Sequence, residues 1–127
     1  MSRIDDRVAR VRTGLDRVRP EHLAAAVDAG AVVVDIRPDH YREAEGVIPG
    51  AHVIERNVLE WRLDPTSPDR LPEATGDDVH WILVCNEGYA SSLAAADLHA
   101  IGLHRATDLD GGYRAWRALV SEQPAIS

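Results

Sequence analysis

The sequence predicts an α/β fold with a central parallel sheet of about five short strands and helices on both faces. Two unbroken apolar runs, residues 32–36 and 80–84, have the length and hydrophobicity of strands that are buried on both sides. Segments of helical length that end at glycine, as residues 21–29 end at Gly30, lie between such runs. Strands that alternate with helices form parallel sheets covered on both sides.

The composition is that of a soluble protein with one domain. Its 127 residues, of which 45% are hydrophobic and 28% charged, are enough for a single core. The formal net charge of −7 argues against nucleic acid or an anionic membrane as the main partner. No apolar stretch has membrane-spanning length, and the charged N-terminus lacks the apolar segment of a signal peptide. Because a single cysteine cannot form an internal disulfide, we expect a cytoplasmic protein.

The chain divides into three predicted parts: an N-terminal amphipathic helix within residues 1–17, a domain at 18–120 and a loose tail at 121–127. In the first part, apolar residues recur every three or four positions, which predicts a helix across 4–15. We expect this helix to pack on the flank of the domain. The alternative is a contact with a partner or a second copy, so the protein is expected to be a monomer or a homodimer.

Within the domain, helices and strands alternate. Residues 18–20 form a short extended segment, and Pro20 suits the first turn of the helix that follows. The proline- and aspartate-rich residues 63–75 are typical of a surface loop. The predicted helical segments are 21–29, 38–45, 55–61, 91–101 and 113–120, and the predicted strands are 32–36, 51–54, 80–84 and 104–109.

The one cysteine, Cys85, stands where the strand at 80–84 ends and a loop leads into the next helix. A thiol at this point faces the free N–H groups of the helix start and the positive end of the helix dipole. Successive loop amides can also form a concave anion site, and both effects favour the thiolate, which is the nucleophilic form. Gly88 suits a crowded loop that needs a positive φ. The alternative is that Cys85 is a small buried hydrophobe, as lone cysteines often are.

Five segments, in order, resemble the rhodanese-like sulfurtransferase family, and together they span about residues 19–120. The central one has the family's active-site pattern Cys-x-x-Gly-x-x-Ser after a buried strand. The five are Val32–Arg37 with its Asp-x-Arg end, Tyr41 with the Gly-x-Ile-Pro-Gly-Ala run at 46–51, the apolar run 80–84, the loop Cys85–Ser91, and Leu109–Trp116 with its Leu-x-Gly-Gly-x-x-x-Trp pattern.

The resemblance implies sulfur transfer through a persulfide on Cys85. The thiolate attacks the outer sulfur of a donor such as thiosulfate, and a thiophilic acceptor, cyanide or a thiol, then removes that sulfur. The expected partners are therefore a small sulfur-containing donor and a thiol or protein acceptor, with no metal and no organic cofactor. Asp35 and Arg37 are implied to tie loops together near the site. The implied substrate-binding residues are those of the loop: Asn86, Glu87, Gly88, Tyr89, Ala90 and Ser91.

The loop departs from the family pattern in its charge. Active members often carry arginine at the position of Ala90, and here Glu87 adds a negative group instead, so we expect thiosulfate to be a poor substrate. Arg56 follows a predicted strand end, where ligands bind in parallel sheets, and is our candidate for the missing charge. Arg37 and Arg62 are weaker candidates, and a solvated surface role is the alternative for Arg56.

Two other functions stay open. Phosphatases and arsenate reductases of related fold use a cysteine, five residues and an arginine to grip an oxyanion, but Ser91 occupies the arginine position here, so the bidentate clamp is missing. The second alternative is a binding module, or one that delivers sulfur to a single protein. The six histidines show no metal-ligand spacing, so no zinc site is expected.

Overall fold

The computed structural model describes residues 1–122, which contain four strands and six α-helices. Two 3₁₀ turns, Pro20–His22 and Arg56–Val58, precede the second and fourth helices. No helix among these residues has both the length and the apolar character needed to cross a membrane. The strands are β1 Val32–Asp35, β2 His52–Val53, β3 Trp81–Val84 and β4 Thr107–Asp108, and the helices are α1 Arg3–Arg12, α2 Leu23–Asp28, α3 Asp39–Glu45, α4 Leu59–Leu63, α5 Ala90–Ala100 and α6 Gly112–Glu122.

The strands form one parallel sheet in the order β2-β1-β3-β4, which confirms the predicted α/β architecture. The sheet has four strands rather than about five. The predicted extended segment contributes only a single parallel bridge between Val18 and Leu109, because Pro20 lacks an N–H and begins a 3₁₀ turn. The strand order reverses between β1 and β3, so the crevice at their carboxyl ends is where this architecture binds ligands.

The two central strands are covered on both faces, as their unbroken apolar sequences predict. Every residue of β3 is fully buried, and its side chains alternate between two cores. Trp81 and Leu83 belong to the larger core with α4 and α5, while Ile82 and Val84 belong to a second core that includes Tyr113 of α6. The end of β3 is therefore held in place from both sides.

Helix α1 is shorter than the predicted helix 4–15. Ser2 begins it with a capping box to Asp5. The Thr13 hydroxyl donates to the Arg10 carbonyl at 2.7 Å at its end, where Gly14 follows. The helix packs against α5 through buried Val8, on the flank of the domain.

Two further boundaries differ from the prediction. Much of the predicted strand 104–109 is taken up by a turn, in which the Ala106 N–H donates to the Leu103 carbonyl, so β4 has only two residues. Helix α6 continues through Glu122 and includes the first two residues of the predicted tail. The other residues of that tail, 123–127, lie outside the described residues.

We predict that Leu83→Ala lowers the free energy of unfolding by about 2–5 kcal/mol, because Leu83 is fully buried in the larger core. Val53→Ala is the control, since Val53 is 53% exposed in the edge strand β2, and its cost should stay near or below about 1 kcal/mol. Urea unfolding followed by circular dichroism measures both. Similar costs for the two variants would contradict the central position of β3.

Candidate active site

Cys85 lies at the carboxyl end of β3, beside the end of β1, where the strand order reverses. The loop from Cys85 to Tyr89 folds over the sulfur before α5 begins at Ala90. The cysteine is buried, with 7% of its surface exposed, and it borders the larger core. This position combines a strand end, a loop and the N-terminus of an 11-residue helix around one thiol.

The Cys85 sulfur is surrounded by hydrogen-bonding groups of its own loop. The Gly88 N–H donates to Sγ at 3.1 Å and the Ser91 N–H donates to it at 3.3 Å. The Ser91 hydroxyl oxygen lies 3.2 Å from the same sulfur. The sulfur therefore accepts two main-chain N–H groups, while the Ser91 hydroxyl, whose own proton goes to Asp108, can accept a hydrogen bond from it.

Four further loop amides are open. Among residues 1–122, the N–H groups of Asn86, Glu87, Tyr89 and Ala90 have no protein acceptor. They belong to the same curved segment as the two amides that bond to the sulfur. A run of such amides forms a concave site for an anion, and here it lies beside a nucleophile.

The loop keeps this shape because it rests on the start of α6. The Tyr113 N–H donates to the Cys85 carbonyl at 2.9 Å, and the Arg114 N–H donates to the Asn86 carbonyl at 3.1 Å. Gly112, at φ +64°, lies so close that an added Cβ would be 2.6 Å from the Cys85 carbonyl oxygen. The backbones of the loop and of the start of α6 are thus in direct contact. The carbonyls of Cys85 and Asn86 accept their hydrogen bonds from α6, on the side of the loop away from the sulfur.

Asp35 and Arg37 form a buried pair at the end of β1. Arg37 Nη2 lies 2.8 Å from the Asp35 carboxylate and donates to the Gly46 carbonyl, also at 2.8 Å. Its Nη1 donates to the Asn86 side chain at 3.2 Å, and its guanidinium lies 4.0 Å from the Tyr113 ring centroid. One side chain therefore connects β1, the end of α3, the cysteine loop and α6.

The negative charge of Glu87 is compensated by Arg114. Arg114 donates to Glu87 at 2.9 Å and to Glu45 at 3.0 Å, while the Asn86 amide donates to Glu45 at 3.0 Å. The hydrogen bonds from Arg114 and then from Asn86 lower the pKa of Glu45, and the hydrogen bond with Glu45 raises the pKa of Arg114. The carboxylate that sequence analysis placed in the loop is therefore one half of an ion pair.

Asp108 is a buried carboxylate near the sulfur that sequence analysis did not single out. It is fully buried and accepts hydrogen bonds from the hydroxyls of Ser91 at 2.7 Å and Ser92 at 2.8 Å. Arg17 pairs with it through Nε at 2.8 Å. Burial opposes the charge on Arg17, but the hydrogen bond and the charge of Asp108 outweigh it, so the pKa of Arg17 is raised. The available signal was an aspartate within the segment predicted as the last strand, because a carboxylate buried in a sheet needs a partner.

Two arginines from the N-terminal segment reach the loop, and neither was predicted. Arg12 Nη2 donates to the Gly88 carbonyl at 2.6 Å and Arg17 Nη2 donates to the same carbonyl at 2.9 Å. Arg12 also donates to the Ser92 hydroxyl at 3.1 Å, and its guanidinium lies 5.3 Å from the centroid of the Tyr89 ring. Periodicity placed both arginines in or next to an amphipathic helix, but nothing local indicated the contact with a loop over 70 residues away.

A family model described as a rhodanese-like domain matches residues 19–119. This chain belongs to the rhodanese-like domain family. One relative, the thiosulfate sulfurtransferase GlpE of Stutzerimonas stutzeri strain A1501, is 36% identical over 105 residues, which cover 83% of this chain and 87% of the relative. The protein of the same name from Pseudomonas fluorescens strain SBW25 is 38% identical over 102 residues, covering 80% of this chain and 84% of the relative.

Solved structures agree with membership in the rhodanese-like family. A protein of Rhodopseudomonas palustris CGA009, described as of unknown function and a possible tyrosine phosphatase, superposes with a TM-score of 0.82 at 28% identity, covering 94% of this chain and 92% of its own. A rhodanese homologue of the extremely thermophilic bacterium Thermus thermophilus superposes with a TM-score of 0.57 at 29% identity, covering 78% of this chain and 98% of its own.

The structure does not bring Arg56 to the rhodanese-like loop, contrary to its expected role as the missing positive charge. Its Nη1 donates to Glu60 at 2.8 Å and its Nη2 donates to Asp97 of α5. Arg62 likewise turns away and donates to the Asp69 carbonyl at 2.7 Å. Because Arg56 follows a strand end, the sequence predicted correctly at which edge of the sheet it lies. Its guanidinium is held away from the loop by the carboxylates of Glu60 and Asp97.

The side chains of Tyr89 and Ala90, the last two loop residues before Ser91, lie on the outside of the rhodanese-like site. Tyr89 is 57% exposed, and Ala90 is exposed at the start of α5. Among residues 1–122, no group of three or more His, Cys, Asp and Glu side chains is arranged to hold a metal ion.

We predict that Gly112→Ala lowers the free energy of unfolding by about 1–3 kcal/mol more than Gly50→Ala does. Both glycines have positive φ, but an added Cβ meets nothing within 4 Å at Gly50, whereas at Gly112 it meets the Cys85 carbonyl and the Gly88 nitrogen. The difference therefore isolates the close contact under the loop. Urea unfolding measures it, and equal costs would contradict that contact.

We predict that Arg56→Ala leaves the KM for a sulfur donor within about twofold of wild type, because its guanidinium is paired with Glu60 and Asp97. Steady-state rates at varied thiosulfate concentration, with cyanide as acceptor, provide the measurement. A severalfold rise in KM with unchanged kcat would instead mean that Arg56 leaves its carboxylates to bind the donor.

Proposed function

We propose that this protein is a sulfurtransferase that carries sulfur as a persulfide on Cys85. The observation that carries the proposal is the set of amides around the sulfur. Gly88 and Ser91 donate to Sγ, and the open N–H groups of Glu87, Tyr89 and Ala90 follow the same curve. The GlpE relatives, which are named thiosulfate sulfurtransferases and match at least 80% of this chain, support the same activity.

In the first step, the Cys85 thiolate attacks the outer sulfur of thiosulfate. A new bond forms between Sγ and that sulfur, and the sulfur–sulfur bond of the donor breaks, so that sulfite leaves with the electron pair. The negative charge then resides on the outer sulfur of the persulfide. Open loop amides stabilise this charge without needing to reorganise during the reaction.

In the second step, a thiophilic acceptor attacks the outer sulfur. With cyanide, a carbon–sulfur bond forms, the persulfide bond breaks, and thiocyanate leaves while Cys85 returns to the thiolate. With a thiol acceptor, the outer sulfur passes to the acceptor sulfur in the same way. The 7% exposure of Cys85 suits an acceptor with a small or extended reactive end.

The charges near the loop set the expected preference for donors. Ala90 supplies no cation, and Arg114 is paired with Glu45 and Glu87 rather than free for a ligand. Thiosulfate is therefore held mainly by amides, so its KM is expected to be high. Sulfane donors that carry little charge lose less affinity from the absence of an arginine at position 90.

A phosphatase is the second candidate, because the structural neighbour from Rhodopseudomonas palustris is described as a possible tyrosine phosphatase. The position that would hold the oxyanion-gripping arginine is Ser91, whose hydroxyl donates to Asp108. A phosphate dianion would meet no guanidinium from the loop itself and would lose the bidentate contact that stabilises it. Sulfur transfer is thus the better supported function.

We predict that incubation with thiosulfate adds the mass of one sulfur atom to the wild-type protein and none to Cys85→Ala. Cyanide should then remove the added mass and release an equal amount of thiocyanate, because the persulfide is the reactive intermediate. Intact-protein mass spectrometry and a colorimetric thiocyanate assay follow the two steps.

Hydrolysis of p-nitrophenyl phosphate by the same samples is the comparison. Phosphate release that depends on Cys85, without any gain of sulfur, would replace the proposed function by the phosphatase. A folded wild-type protein that gains no sulfur and releases no phosphate would indicate a binding module.

A further inference from the structure

The N-terminal segment lies outside the residues that the family model matches, yet it contacts the loop that holds the sulfur. Arg12 belongs to α1, and Arg17 follows it before the domain begins. Both guanidiniums donate to one carbonyl oxygen, that of Gly88, at 2.6 Å and 2.9 Å. Hydrogen bonds from a charged donor are among the stronger ones in proteins.

The backbone of Gly88 contacts the sulfur through its N–H and the two arginines through its carbonyl. Its N–H donates to Cys85 Sγ at 3.1 Å. Its φ is +87°, and an added Cβ would lie 2.8 Å from the Gly111 nitrogen, so the residue is tightly confined. The Gly88 carbonyl and the open Tyr89 N–H belong to one peptide unit, so holding the carbonyl also holds that N–H. Two cations on that carbonyl polarise the unit and strengthen its N–H as a donor.

Arg17 has a second connection to the sulfur. Its side chain is 15% exposed and pairs with Asp108, whose carboxylate accepts the Ser91 hydroxyl at 2.7 Å. That hydroxyl oxygen lies 3.2 Å from Cys85 Sγ. Arg17 thus helps to set the position of Ser91 as well as that of Gly88.

Helix α1 is firmly placed, so these contacts belong to the folded domain. Val8 is buried against α5, and the Arg12 Nε donates to the Ser92 hydroxyl at 3.1 Å. Arg12 has no carboxylate partner among residues 1–122, and its hydrogen bonds go to the Gly88 carbonyl of the loop and to Ser92 of α5.

We infer that Arg12 and Arg17 are positioning residues that hold the Gly88 carbonyl and thereby keep the Gly88 N–H directed at the Cys85 sulfur. Their role in sulfur transfer rests on the function proposed above, whereas their effect on the thiol is measured without any sulfur donor.

Arg12→Ala is the decisive variant, because it removes no ion pair, whereas Arg17→Ala leaves the buried Asp108 without its cation. Arg7→Ala is the matched control, since Arg7 is an exposed arginine of the same helix. The first measurement is the rate of Cys85 alkylation at pH 7 by neutral iodoacetamide and by anionic iodoacetate. Circular dichroism verifies that each variant is folded.

We predict that Arg12→Ala slows both reagents by the same factor, roughly threefold to tenfold, because a displaced Gly88 N–H no longer holds the sulfur in position for attack. Arg7→Ala should change neither rate. Equal rates in Arg12→Ala and Arg7→Ala would overturn the inference. Slowing of iodoacetate alone would also overturn it, because the arginine would then act by attracting anions rather than by holding the loop.

Turnover of thiosulfate and cyanide provides the second measurement. Loss of positioning should lower kcat in Arg12→Ala with KM within about twofold of wild type, while a raised KM with unchanged kcat would mean direct donor binding and contradict the inference. If wild type forms no persulfide but Arg12→Ala still slows alkylation, the proposed function fails and the positioning stands. If wild type and Arg12→Ala form persulfide equally fast and alkylate equally fast, the positioning fails and the function stands.

Discussion

The close contact between the cysteine loop and the start of α6 is the constraint on which the site depends. The loop carbonyls of Cys85 and Asn86 accept hydrogen bonds from α6, and Gly112 leaves no space between the two backbones. On the other side of the loop, the N–H groups of Gly88 and Ser91 donate to the sulfur. The chemistry of the thiol thus follows from the way two backbone segments, far apart in sequence, meet at the edge of the sheet.

Apart from Arg12, the charged side chains around the site lie in compensated pairs rather than in an exposed cluster. Arg37 is buried with Asp35, Arg17 with Asp108, and Arg114 bridges two glutamates at the surface. Isolated ions would be costly at these depths, and pairing removes most of that cost. The pairs also connect separate elements, so they fix the geometry around the cysteine while leaving little net charge to attract an anionic donor.

Local sequence patterns were sufficient to predict the fold class and the cysteine loop. The unbroken apolar runs of β1 and β3 gave the buried strands, and the strand–cysteine–glycine–helix sequence gave the loop. Element ends were less predictable, since turns such as that at Leu103–Ala106 shorten β4 through hydrogen bonds that propensity does not reveal. The contacts of Arg12 and Arg17 depend on how α1 packs on α5, and no short-range pattern encodes that. The pairing of Arg56 with Glu60, four residues later in a predicted helical segment, was visible in the sequence, whereas its pairing with Asp97, 41 residues away, was not.

The family model begins at residue 19, but the two arginines that donate to the Gly88 carbonyl lie before that residue. The matched segment is therefore shorter than the part of the chain that forms the site. A chain trimmed to begin at residue 19 would keep Cys85, its loop and most of both cores, although Val18 and Leu15 would be lost from them, and it would still contain every residue that the family model matches. It would nevertheless lack the arginines that hold the loop from behind, and the carboxylate of Asp108 would lose its cation. Domain limits drawn from sequence similarity can therefore cut away side chains that complete the surroundings of a reactive group from outside the shared fold.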